Sequence, residues 1–110
     1  MGRYISTIGT ASAATVEVST TYTASVSDRI LADSLGGAFT ITLPANADLL
    51  VGDIVQIIDV TGNFATNNVT VGRTSSKIQN ATEDLTLDVA NVALTLIYTG
   101  STYGWVVTSS

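Results

Sequence analysis

The sequence predicts an all-β fold: a small antiparallel β-sandwich or barrel of about eight short strands with an extended N-terminal arm. Three observations predict it. Apolar and polar residues alternate with period two in one segment after another. Turn clusters separate those segments at intervals of roughly 8–12 residues. No window carries the i, i+3, i+4, i+7 stripe of an amphipathic helix. The 110 residues suit one domain, and 18 Thr and 11 Ser place a small hydroxyl on more than a quarter of them.

Residues 1–20 are rich in Ala, Ser, Thr and Gly and carry few bulky groups. Small side chains bury little apolar area, so this stretch is expected to be an arm lying on another subunit. Within it, the alternation of Thr15, Val16, Glu17, Val18 and Ser19 predicts extended chain. Residues 21–110 are expected to form the β domain. Tyr22 to Val26 alternates, and Arg29 to Ala32 forms a strand that stops at the turn cluster 33–37. Phe39, Ile41 and Leu43 share one face of the next strand, with Thr40 and Thr42 on the other. Pro44 ends it, because proline donates nothing to a ladder. A short helical turn is expected over 45–50.

Ile54 to Val60 is a β-branched apolar run and predicts a central strand. Asn67 to Val71 is a further strand ended by Gly72. Ser75 to Asn80 predicts a brief edge strand, blunted by Lys77. Asp84 to Val89 and Val92 to Tyr98 alternate again. Tyr103 to Thr108 closes the chain as a hairpin partner after the turn 99–102.

Composition excludes several function classes. There is no cysteine, so no disulfide scaffold and no thiolate metal site. There is no histidine, so both common side chains for nucleophilic and acid–base chemistry at neutral pH are missing. Nine acids against four scattered bases (Arg3, Arg29, Arg73, Lys77) give a net charge of −5. That balance disfavours nucleic acid and an anionic membrane surface as partners. No run approaches a membrane span, and the N-terminus lacks the apolar core of a signal peptide. Gly2 with Ser6 fits a myristoylation pattern only formally.

The remaining candidates read as structure. Asp28, Asp33, Asp53, Asp59, Glu83, Asp84 and Asp88 lie near predicted strand ends, without calcium-loop spacing. Aspartates there are expected to bond turn amides. A glycosidase pair needs only two carboxylates, but little aromatic surface is available to hold a sugar. Trp105 and Tyr103 are expected in the core or at a subunit contact. Lys77 lies in no S-x-x-K context, since Ser75 and Ser76 stand too close to it, and threonine is expected to fill the outward faces of strands. The dispersed glycines form no phosphate-binding motif. The sequons at Asn68 and Asn80 are expected to be accidental in so Thr-rich a chain. No enzyme activity, cofactor or metal is expected.

The segments Tyr22-Thr23-Ala24, Asp28 to Asp33 and Gly37 to Ala45 resemble a module of virion structural proteins of tailed bacteriophages, cyanophages in particular. The likeness continues through Gly52-Asp53, Ile57 to Asp59, Gly62 to Val71, Lys77-Ile78, Glu83 to Val89, Leu96 to Tyr98 and Tyr103 to Trp105. It covers about residues 22–107 and implies a β-rich, homotrimeric, non-enzymatic particle component. Such modules occur in fibre, baseplate and neck proteins and in stand-alone virion proteins. A single module without a shaft is expected to suit a capsid decoration or cement protein on the outer head surface, bound to the major capsid protein. Arg3, Tyr4, Ile5 and Ile8 are then the expected partner contacts from the arm. A tail, baseplate or fibre component is the alternative, and a carbohydrate-binding module on the particle surface is a third reading.

Overall fold

A computed structural model describes residues 14–109. Nine strands lie among them: β1 (Ala14–Val18), β2 (Tyr22–Thr23), β3 (Asp28–Ala32), β4 (Phe39–Thr42), β5 (Ile54–Asp59), β6 (Val69–Gly72), β7 (Leu85–Leu87), β8 (Ala93–Tyr98) and β9 (Trp105–Ser109). The helical turn expected near 45–50 is a single 3-10 turn, Asn46–Asp48. No helix among the described residues is long and apolar enough to cross a membrane.

The chain is all-β, built as two sheets with strand orders β1-β3-β5-β8-β9 and β2-β4-β6-β7. Neither sheet closes on itself. The antiparallel arrangement expected from sequence is corrected: both sheets are mixed. β1, β3 and β5 run parallel, as do β2, β4 and β6; β7, β8 and β9 add antiparallel. The reason is the winding of the chain. The first six strands alternate between the sheets, so each strand's same-sheet neighbour lies one full coil further on and points the same way. Successive coils differ in length: Val16 lies opposite Ile30, fourteen residues on, and Ile30 lies opposite Ile57. The segment 75–80 is also corrected. It is not a strand; Ile78 makes isolated bridges to Ala81 and to Trp105 beside β9.

Alternation decides which face is buried. Ile30 and Ala32 (β3), Val55 and Ile57 (β5), and Leu94, Leu96 and Tyr98 (β8) turn inward from the first sheet. Phe39 and Ile41 (β4), Val69 and Val71 (β6) and Leu87 (β7) turn inward from the second, and all belong to one apolar cluster. Each fully buried aliphatic side chain contributes about 1.5–3 kcal/mol. Trp105 is fully buried against Tyr98, with ring centroids 5.5 Å apart. Thr40, Thr70 and Thr86 lie in register on the outward face of the second sheet, where threonine was expected.

Candidate functional site

The coil gives the molecule two distinct ends. The parallel strands β1, β3 and β5 enter at one end and leave at the other. At the exit end their corners carry Ser19, Asp33 and Val60. Two adjoining hollows open there. One, of about 470 Å³, is lined by Glu17, Val18, Ser19, Leu31, Asp33 and Val60. The other, of about 530 Å³, shares Ser19 and Asp33 and extends over Leu35 to Phe39.

The carboxylates at both ends act on backbone, as expected for turn aspartates. Asp59 is buried, yet its oxygens accept four backbone N–H groups: Gly62 at 2.9 Å, Asn63 at 3.2 Å, Phe64 at 3.1 Å and Asn91 at 2.9 Å. It therefore fastens the β5–β6 corner to the approach of β8. Asp33 accepts the Leu35 N–H at 2.9 Å, Asp53 that of Leu50 at 2.8 Å, and Asp84 that of Arg73 at 3.0 Å. Buried Asp28 accepts both the Tyr22 hydroxyl at 2.6 Å and the Ser25 N–H at 2.8 Å. The hydrogen bond to Asp28, followed by burial and the nearby negative charge, pushes the Tyr22 phenol up to about 12. Glu83 and Asp88 are exposed. No group of three or more acidic side chains able to hold a metal ion occurs among the described residues.

What is available at both ends is apolar surface. Every large apolar side chain that stands exposed among the described residues lies on a corner or turn outside the strands. Leu35, Val60 and Val89 stand at the exit end. The position of Val89 follows from the Asn91 bond to Asp59. Leu50 and Val51, each 75% exposed, and Tyr103 stand at the entry end. Val51 lies beside Gly100 in the same hairpin turn as Tyr103. Isolated exposed hydrophobes are ordinary; their confinement to two opposite ends is the informative feature. Of the aromatic residues expected in the core or at a contact, Trp105 is core and Tyr103 is surface.

Sequence reasoning did not single out Leu50, Val51, Leu35, Val60 or Val89. For Leu35, Leu50 and Val51 the signal was present, because each is an apolar residue in a turn segment; Val60 and Val89 end runs that the sequence reads as strand. Arg3, Tyr4, Ile5 and Ile8 lie outside the described residues. The stretch read as arm does include β1, which pairs with β3 of its own chain over Ala14–Val18. Ala14 begins β1 at the entry end, beside the start of β3, the same end as Leu50 and Val51.

The chain matches no protein-family model and no curated protein.

Proposed function

We propose that this chain is a non-enzymatic virion structural protein of a tailed phage, a homotrimeric decoration protein that binds the head lattice and stabilises it. We read its two sheets as a flattened sandwich whose ends make the contacts. The observation that carries the proposal is the confinement of exposed apolar side chains to two opposite ends. A domain that only had to remain dissolved gains nothing from Leu50 and Val51 at 75% exposure. A domain held between neighbours uses one end against the shell and the other toward solvent or a further copy.

The entry end is the shell-facing surface, because the arm joins there. Arg3, Tyr4, Ile5 and Ile8 then extend the contact made by Leu50, Val51 and Tyr103. Three such ends in one trimer bind together, and linked modest contacts raise avidity by two to four orders of magnitude, roughly. The experiment is occupancy of purified heads by the full-length chain carrying Leu50→Asp and Val51→Asp. Both sites are exposed, so the variant folds normally and its occupancy falls. Unchanged occupancy contradicts the proposal.

A further inference from the structure

The exit end holds an apolar groove. Its two hollows share Ser19 and Asp33, so they form one opening across the corners that follow β1 and β3. Leu31 and Val60 stand on one side of it, Leu35 and Phe39 on the other. Leu35 and Val60 are 65% and 49% exposed, so the groove offers bare aliphatic surface beside its carboxylates.

Charge at this end has one sign. Among the described residues its charged side chains are Glu17, Asp33, Asp59 and Asp88, all acids. The described bases stand elsewhere. Arg73 and Lys77 lie between β6 and β7, at the entry end. Arg29 shares the outward face of the first sheet, but its Nε donates to Gln56 Oε1 at 3.2 Å, which holds it toward β5 and away from Glu17 on β1. Glu17 is exposed, and Asp33 accepts the Leu35 N–H through one oxygen, Oδ1. Register brings these two carboxylates to the first hollow. Glu17 lies opposite Leu31, and Asp33 follows two residues beyond Leu31. Diagonal neighbours of that kind stand about 7–8 Å apart, a gap that one cationic group spans by bonding to both. Its alkyl stem then lies on Leu31 and Val60.

We propose that this groove receives a basic segment of a partner protein, one whose lysine or arginine side chains stand beside aliphatic ones. Charge complementarity selects that occupant: the aliphatic walls take the apolar side chains and the carboxylates pair with the bases. A second copy of this chain is disfavoured, because it carries a net charge of −5 and presents the same acids. An anionic lipid surface or nucleic acid is repelled for the same reason. On the decoration reading the exit end is turned away from the shell, so the groove stays open on the particle.

The probe is the capped peptide Gly-Lys-Val-Leu-Lys-Gly, in which an extended chain places one base and one aliphatic side chain on each face. It is titrated into isotope-labelled full-length protein and followed by amide chemical shifts. Shifts confined to residues 17–19, 33–39 and 60 are expected, with binding that weakens as salt rises. Glu17→Gln with Asp33→Asn removes both charges and keeps an oxygen for the Leu35 N–H. It is expected to lower the affinity about tenfold. Should that variant fold poorly, Glu17→Gln alone is expected to lower it about threefold. Val60→Ser is expected to weaken the probe and to leave unmoved the weaker binding of the analogue Gly-Lys-Gly-Gly-Lys-Gly. Equal binding of that analogue, or of spermidine, overturns the proposal, because charge alone then suffices. Shifts centred on another surface, or no binding, also overturn it. A peptide of residues 1–13 that takes the groove more tightly than the probe assigns it to the chain's own N-terminal segment and overturns the partner.

Discussion

Among the described residues, Asp59 accepts more backbone amides than any other side chain: one buried carboxylate meets four, drawn from two corners. Replacing it by alanine strands the Phe64 N–H, which is buried, and frees three others toward solvent. The expected loss is about 3 kcal/mol, read as a fall in the urea midpoint at unchanged slope. Tyr22 gives a second prediction. Its phenol is raised to about 12 in the fold, against about 10 when unfolded, so the folded state holds the proton more tightly. That stabilisation is complete below pH 10 and is lost as pH rises from 10 to 12. Ultraviolet titration should show a tyrosine ionising near pH 12, and Tyr22→Phe should remove both that step and the associated loss of stability. The aspartates were legible as turn residues from sequence. That Asp28 would take a tyrosine hydroxyl was not, since Tyr22 and Asp28 come from β2 and β3 in different sheets.

At the scale of elements, the pattern of alternation located the strands well. Phe39–Thr42 and Ala93–Tyr98 fall within runs read from period two, and Ile54–Asp59 within the β-branched apolar run. Direction and partner were not legible. Alternation reports which face of a strand is buried, and a parallel neighbour buries the same face as an antiparallel one. The coil follows from corners that carry each strand to the other sheet, and no residue type marks that choice over a hairpin. The edge at 75–80 was half legible: the segment does lie at an edge, as a hairpin tip rather than a strand. Gln79 and Asn80 adopt φ of 53° and 61°, the left-handed pair of a type I′ turn, with Ile78 and Ala81 bonded across it. This tip covers β9, whose Val107 N–H donates to Gln79 Oε1 at 3.0 Å. Gln79→Ala uncovers the Val107 N–H and should cost about 1 kcal/mol, with faster hydrogen exchange at Val107 as the specific readout. Gly104 secures the same region. A Cβ there would collide with the Lys77 carbonyl, and its φ of 75° disfavours any other residue. Gly104→Ala should separate the tip from β9 and lower stability by more than Gln79→Ala.

At the scale of the molecule, the hydroxyl-rich, lightly charged composition acquires a meaning. Threonines line the outward face of the second sheet, apolar side chains fill the space between the sheets, and the surplus apolar groups collect at the two ends. On the proposed reading, the two ends are where a coat element meets its neighbours. A trimer is expected in solution, so sedimentation equilibrium should give three times the 11.4 kDa chain mass. The end surfaces were the least legible part, because an apolar residue in a turn looks the same in sequence whether it is covered or bare. The central claim concerns where the protein sits, and imaging of labelled full-length protein on intact virions tests it most directly. Label spread over the head at regular lattice positions is the predicted result; label confined to the tail or to a single vertex would contradict it.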